Sequence, residues 1–331
     1  MPSRKIEQQL EKLSGLHAHV PDEPTLAALR EALANPVNVV VAKAARIAGD
    51  LGTRSLLPEL LSAFHRMFEN PRHTDPQCWG KNALAKALKD LGHAGSQEFL
   101  RGLHHIQMEP VWGGQEDTAT VLRGACALAL AQCTDITRQD VMRHLIEAFT
   151  DETATVRADI ARALEQMEGE EACLLLRLKA LLGDKEPAVT GQILESLLRL
   201  EHAAAVPFVA KFLKAGGEVA EEAALALGAS RLPAALEILK QTWTDARILV
   251  PEDVLLRAIG TSRHESAIEF LLNVVREGRE REAMAALAAL VLYRGSPEIR
   301  APVAAAVESR NEPALHEEFR RGFSTESDFS S

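Results

Sequence analysis

A short phrase rich in alanine and leucine returns along most of this 331-residue chain, and it restricts the possible folds more than any other feature. Its clearest copy runs from Thr155 to Leu164. Degenerate, alanine-rich copies are Val41–Ala48, Leu122–Leu130 and Val219–Gly228, and the last of these has lost the basic residue. The copies are separated by one or two units of roughly 30 to 40 residues, which is the period of a two-helix repeat.

The composition favours helices packed on helices. Apolar residues make up 47% of the sequence but aromatic residues only 4%, so alanine and leucine must provide most of the core. Small alanine side chains let neighbouring helices approach closely, which suits stacked helix pairs better than a sheet sandwich. The nearest strand-like run, Val37–Val41, leads directly into an alanine-rich segment. We therefore expect an all-α fold, a right-handed α–α superhelix or solenoid of about eight or nine helix pairs.

Proline and glycine divide the chain into its predicted parts, because proline fits the first turn of a helix and glycine its end. Residues 1–23 are predicted to form an N-terminal capping helix and a linker, residues 24–321 the repeat array, and residues 322–331 a disordered tail. Prolines predicted at helix starts are Pro24, Pro58, Pro207 and Pro233.

Two of the predicted repeats carry long segments between their outer and inner helices. These segments are Asn70–Trp79 in the second repeat and Met108–Asp117 in the third. Because stacked repeats place equivalent connections on one edge, we expect the two loops to lie next to each other. Insertions on one edge of such an array often form a binding face.

The copies Val156–Leu164 and Val219–Gly228 resemble the inner helix of HEAT repeats, particularly the short bacterial kind also found in phycobilisome lyases. Asp151, six residues before Arg157, is similar to the Asp–Arg pair of those arrays. The resemblance covers roughly residues 24–310 and implies a HEAT-like fold without implying an activity, since such arrays serve many tasks.

The resemblance leaves two classes of function open. We expect a non-enzymatic scaffold that binds another protein or a peptide through its concave face and the loop edge of the second and third repeats. The alternative is an enzyme or enzyme subunit of HEAT-like type, similar to a bilin lyase or to an alkylpurine DNA glycosylase. No cofactor is predicted for the scaffold.

Trp112 is the most informative residue of the loop edge. It stands beside Gly113 and Gly114, so it either covers the seam to the next repeat or faces a partner. The carboxylates around it would favour a cationic partner through ion pairing and cation–π contact. A loop packed on itself is the alternative. The predicted partner-binding residues are Trp112, Glu109, Glu116, Asp117, His73, Asp75, Trp79, Arg123 and Lys81.

Two groups of residues have side chains of the types that bind metal ions. Deoxyhypusine hydroxylases, iron-binding members of the same superfamily, place His–Glu pairs at several inner-helix starts. This chain has one such pair, His264–Glu265, at an outer-helix start, which favours an ordinary helix terminus. Residue types suited to zinc also occur near the two loops: His73, Asp75, Cys78, His104 and His105. Since two adjacent helical histidines point in different directions, no metal site is predicted.

The charge distribution argues against nucleic acid as a partner. The net charge is −10, and acidic residues exceed basic residues in both halves of the chain. The predicted inner helices of the N-terminal half carry a modest basic stripe: Lys43, Arg46, Lys81, Lys86, Lys89, Arg123 and Arg157. Such a stripe is more often a ladder of ion pairs between repeats. With no apolar span of membrane length, no signal peptide and no paired cysteine spacing, we expect a cytoplasmic protein.

Overall fold

The all-α prediction is confirmed. The computed structural model describes residues 2–18, 22–245 and 249–323, and within these residues it is helical apart from one β-hairpin. The chain divides into two compact units, Met1–Met167 and Glu168–Ser331. In the described part of the chain, no helix is both long enough and apolar enough to cross a membrane.

The first unit is built from a leading helix and four helix pairs. Its elements are α1 (Pro2–Ser14), α2 (Glu23–Leu33), α3 (Asn38–Asp50), α4 (Leu57–Met67), α5 (Pro71–Thr74), α6 (Trp79–Asp90), α7 (Gln97–Leu103), β1 (Met108–Val111), β2 (Gly114–Asp117), α8 (Thr120–Leu130), α9 (Arg138–Ala148) and α10 (Ala154–Met167). The pairs are α2 with α3, α4 with α6, α7 with α8, and α9 with α10. The second helices of successive pairs also pack on one another, from α3 through α6 and α8 to α10, so they form a continuous inner layer.

The second unit repeats this plan with five pairs. Its helices are α11 (Gly169–Leu182), α12 (Pro187–Glu201), α13 (Val206–Val209), α14 (Gly217–Ser230), α15 (Pro233–Thr244), α16 (Glu252–Thr261), α17 (Glu265–Glu277), α18 (Glu280–Leu290), α19 (Pro297–Glu308) and α20 (Pro313–Phe323). Its inner layer runs from α12 through α14, α16 and α18 to α20. Short 3₁₀ turns lie beside the helices of both units: Gly15–Ala18, Arg54–Leu56, Pro76–Cys78, His202–Ala204, Ala210–Lys214 and Val291–Tyr293.

Helix starts follow the predicted proline positions. Each of the four prolines lies at the first or second position of its helix, where a missing N–H breaks no helical hydrogen bond. Asp22 caps α2 by accepting a hydrogen bond from the Thr25 N–H at 2.9 Å, and Thr137 caps α9 in the same way through the Asp140 N–H.

Two helix ends differ from the sequence prediction. The sequence predicts an outer helix over Ser96–Gln107, but α7 ends at Leu103 because the next residues turn into a β-hairpin. Helix α20 continues through Gly322 and Phe323, two residues that were assigned to the tail, and it buries the Phe323 side chain. The rest of the predicted tail lies outside the described residues.

Glycine lets two inner helices of the second unit approach closely. A Cβ added at Gly228 in α14 would lie 2.2 Å from the backbone oxygen of Ala258 in α16. Backbone cannot move aside as a flexible side chain can, so the inner layer depends on the missing side chain at this contact.

We expect Gly228→Ala to lower the free energy of unfolding by about 1–3 kcal/mol, the range for overpacking a close contact. Gly49→Ala is the matched control, since Gly49 also lies near the end of an inner helix but has its nearest neighbour, Ala87, 3.5 Å from the added Cβ. Alanine should there be neutral or stabilising by up to about 1 kcal/mol, because it favours helix over glycine. Urea unfolding of both variants measures the difference, and equal effects would contradict the close contact.

Candidate functional site

A two-stranded β-hairpin projects from the edge of the first unit between α7 and α8. Its strands β1 and β2 pair antiparallel, with Met108 opposite Asp117 and Val111 opposite Gly114. Trp112 and Gly113 form the turn, and Gly113 takes the left-handed backbone conformation (φ 92°) that favours glycine. The Trp112 side chain is fully exposed, so it neither packs on the hairpin nor covers the seam to the next repeat.

The base of the hairpin is held by a buried carboxylate. Glu109 accepts hydrogen bonds from the Gln77 backbone N–H at 2.9 Å and from the Gln77 side-chain amide at 2.9 Å. The Gln107 side-chain amide donates to the same carboxylate and also to the backbone oxygen of Asp75, at 2.9 Å. Glu109 therefore joins the hairpin to the loop of the preceding repeat, which confirms that the two insertions are neighbours.

A fully buried ion pair fixes that preceding loop. Asp75 lies 3.1 Å from the Lys81 ammonium, and both side chains are 0% exposed. The carboxylate also accepts hydrogen bonds from the backbone N–H groups of Gly80 (2.7 Å) and Lys81 (2.9 Å) and from the Asn38 amide (2.9 Å). The ammonium donates to the backbone oxygen of Met67 at 3.2 Å. All of these groups are buried, so the pair locks the loop onto α3, α4 and α6.

A second buried cation joins the hairpin to the following repeat. Arg123 in α8 donates to Asp117 at the end of β2, to the backbone oxygen of His105 at 3.0 Å, and to Asp151 at 2.7 Å. Burial raises the pKa of Asp117, but hydrogen bonds from the Gln107 and Ala119 N–H groups and from Arg123 outweigh it, so the net pKa is lowered. Asp117 thus stays ionised while it fixes the hairpin.

The carboxylates and basic groups of this edge share one spacing. Asp75 precedes Lys81 by six residues, Asp117 precedes Arg123 by six, and Asp151 precedes Arg157 by six. Asp117 and Asp151 each accept a hydrogen bond from the N–H two residues ahead, which stabilises the turn that leads into the following inner helix. The resemblance to HEAT repeats rests on this spacing at Asp151 alone. The threefold recurrence of the spacing was the signal that these residues belong to the repeat framework.

The nine predicted partner-binding residues separate into two groups. Asp75, Lys81, Glu109 and Arg123 are buried, and Asp117 is half-buried; the structure brings these five together as support for the hairpin. The four exposed residues are Trp112, Trp79, Glu116 and His73. The amides of Asn38, Gln77 and Gln107, which complete the support, were missed because amide side chains carry no distinctive sequence pattern.

Large apolar side chains are exposed around the hairpin. Trp79 at the start of α6 is 51% exposed, and Val121 at the start of α8 is 62% exposed. Ile106, which leads into β1, and Val111, beside the turn, are exposed as well. The Thr118 hydroxyl donates to the Cys78 sulfur at 3.7 Å, which brings the segments of Trp79 and Val121 together at the hairpin base. We call these five exposed residues the hairpin surface: Trp79, Ile106, Val111, Trp112 and Val121.

The described residues do not support the metal alternatives. Among them, no three His, Cys, Asp or Glu side chains converge in a way that could hold a metal ion. Asp75 already accepts hydrogen bonds from Gly80, Lys81 and Asn38, and burial raises the pKa of the Cys78 thiol to about 11. His264 lies at the start of outer helix α17, as the sequence indicated, with Nε2 at 2.8 Å from the backbone oxygen of Arg231.

The predicted basic stripe does not form a continuous surface. Lys81, Arg123 and Arg157 are buried, and Arg157 donates to the backbone oxygens of Asp151 and Glu152. Lys89 forms an ion pair with Asp90 on its own helix. Three of the seven residues thus belong to the repeat framework, and Arg123 forms an ion pair to the next repeat of the kind that the ladder alternative predicts.

No protein-family model matches the sequence, and no curated protein matches it. Among solved structures, human deoxyhypusine hydroxylase in complex with glycerol is similar over 78% of this chain and 91% of its own, with 22% identity and a TM-score of 0.30. An engineered protein is similar over 95% of this chain and 98% of its own, with 16% identity and a TM-score of 0.36. Likenesses this distant carry no information about the site.

Proposed function

We propose that the helix pairs of this protein form right-handed HEAT-like arrays, and that it is a non-enzymatic scaffold whose β-hairpin binds another protein. The observation that carries the proposal is the full exposure of Trp112 at the tip of a hairpin with a buried, bonded base. The spacing of six residues between carboxylate and basic group in three successive repeats supports the relation to HEAT repeats.

Exposure of this kind is unfavourable for the free protein. An indole in water forgoes the apolar burial that stabilises tryptophan elsewhere, and contiguous exposed apolar groups mark interaction sites in soluble proteins. Tryptophan is also among the residues that most often dominate binding energy at protein interfaces. The hairpin surface therefore fits a partner with an apolar pocket for an indole ring.

The support of the hairpin prepares it for binding. Its first strand is bonded to the preceding repeat through Glu109, and its second strand to the following repeat through Asp117 and Arg123. A segment held in this way loses little conformational freedom when it binds, so more of the contact energy appears as affinity. The exposed Glu116, which lies opposite Glu109 near the base of the hairpin, favours a basic residue on the part of the partner that contacts the hairpin base.

The test compares Trp112→Ala with the wild-type protein. Proteins captured from the source cells by both forms are identified, and the affinity of each candidate is measured by titration. We expect Trp112→Ala to lower the affinity for the true partner by at least about 30-fold. This corresponds to about 2 kcal/mol, as for a hot-spot tryptophan. The unfolding free energy of the variant should change by less than about 0.5 kcal/mol, as for surface substitutions.

Leu292→Ala is the matched control, since Leu292 is an exposed apolar residue in the second unit. It should leave the affinity unchanged. Equal affinities of wild type and Trp112→Ala for every captured protein would contradict the proposal. So would a clear loss of stability in Trp112→Ala, because that result would assign the indole a structural role.

The enzyme alternatives have no specific support on the hairpin edge. A glycosylase-like activity needs a basic groove, and three of the seven basic residues considered for it are buried in the framework. A bilin-lyase-like activity needs a groove that binds a tetrapyrrole, and an absorbance shift on adding bilin would reveal it.

A further inference from the structure

Helix α11, at the start of the second unit, exposes an unusual number of leucines. Leu174, Leu178, Leu181 and Leu182 are between 54% and 75% exposed. Their spacing of four, seven and eight residues from the first places them on one face of the helix. The opposite face, formed by Ala172, Leu176 and Ala180, is buried and packs on α12.

The leucines are arranged symmetrically about Leu178. Leu174 and Leu182 lie four residues before and after it, and Leu175 and Leu181 lie three residues before and after it. If two such helices pack antiparallel around a two-fold axis through Leu178, each outer leucine meets a leucine of the other copy. A contact that uses the same patch on both partners must be self-complementary in this way.

The charges beside the leucines permit this arrangement. Arg177 is paired with Glu201, and Lys179 with Asp184 at 2.8 Å, so the two basic residues that border the face are neutralised within their own chain. At the ends, the same two-fold axis brings the exposed Glu170 in the first turn of α11 towards the exposed Lys185 of the other copy. A second copy of this chain is therefore matched to the face in both apolar pattern and charge.

We infer that two copies of this protein associate through α11, packed antiparallel about a two-fold axis at Leu178. An interface formed by four mainly exposed leucines per copy is small, because specific interfaces bury at least about 1,200 Å² in total. The dimer is accordingly weak, with a dissociation constant in the micromolar range. Its leucines all lie in α11, and none of them belongs to the hairpin surface.

Analytical ultracentrifugation from about 1 to 200 μM tests the association, a range chosen around a micromolar dissociation constant. The wild-type protein should shift from monomer to dimer, and Leu178→Glu should stay monomeric at least tenfold higher in concentration. Leu178 is exposed, so the variant should keep the wild-type circular dichroism and melting curve. Leu292→Glu introduces the same charge at an exposed leucine outside α11 and should dimerise as the wild type does.

Disulfide cross-linking tests the two-fold axis. In a Cys173→Ser background, Leu178→Cys should form a covalent dimer under mild oxidation, because residues on the axis face their own copies. Leu174→Cys mixed with Leu182→Cys should cross-link more than either alone, whereas a parallel arrangement would reverse that order. A wild-type monomer throughout the concentration range, or a dimer that Leu178→Glu leaves intact, would overturn the inference.

Discussion

Replacing Asp75 with alanine should lower the free energy of unfolding by about 3–5 kcal/mol, the range for removing one partner of a buried ion pair. The Lys81 ammonium would remain buried beside the Met67 carbonyl oxygen and the Phe68 ring, with no carboxylate to neutralise it. The N–H groups of Gly80 and Lys81 and the Asn38 amide would also lose their acceptor. Urea unfolding, followed by circular dichroism, measures the loss.

Asp90→Ala is the matched control. Asp90 pairs with Lys89 at 2.8 Å on the same helix α6, but both side chains are partly exposed, so the loss should be under about 1 kcal/mol. The double variant Asp75→Asn with Lys81→Met removes both buried charges while keeping similar shapes, and it should recover much of the stability. If Asp75→Ala were as mild as Asp90→Ala, the buried pair would not be what holds the loop.

Arg123→Met is the second substitution for which we expect a loss of about 3–5 kcal/mol. It removes the cation that lies between Asp117 and Asp151, and both carboxylates remain largely buried without it. Arg162→Met is its control, because Arg162 pairs with Asp159 on an inner helix but is nearly half exposed. That control should lose under about 1 kcal/mol. Similar losses for the two variants would contradict the role assigned to Arg123.

The same variant should change how stability depends on pH. The pKa of Asp117 is lower in the folded protein than its unfolded value of 3.8, so its contribution is complete above that value and is lost as pH falls through the folded pKa. The substitution Arg123→Met removes one of the contacts that lower the pKa of Asp117, whereas burial of the Asp117 carboxyl group still raises that pKa. Urea unfolding between pH 6 and pH 2 should therefore show a smaller acid-induced loss in Arg123→Met than in wild type.

The helical framework was predictable because its signals are local. Proline at the first turn and alanine–leucine periodicity act within a few residues, and the predicted prolines lie at the starts of α2, α4, α13 and α15. The β-hairpin was predicted only as a loop. Its strands contain Pro110, Gly114 and charged residues, which have low strand propensity, and its stability comes from contacts with other repeats.

The position of the candidate site could be predicted from the sequence, but the contacts made by its residues could not. Repeat order alone indicated that the two insertions are neighbours, and the glycines after Trp112 excluded a helix core position. Sequence could not distinguish a carboxylate facing solvent from one buried against amides 32 residues away, as Glu109 is against Gln77. That distinction depends on tertiary contacts, which no local pattern encodes.

The hairpin separates the residues that keep the protein folded from those available to a partner. Glu109 and Asp117 at its base are bonded to neighbouring repeats, whereas Val111 and Trp112 at its tip are exposed. Substitutions at the tip should therefore have little effect on folding, whereas those at the base should destabilise the protein. For the proposed binding role, this means that specificity could change by mutation of the tip, and a different recognition sequence could be grafted between the strands.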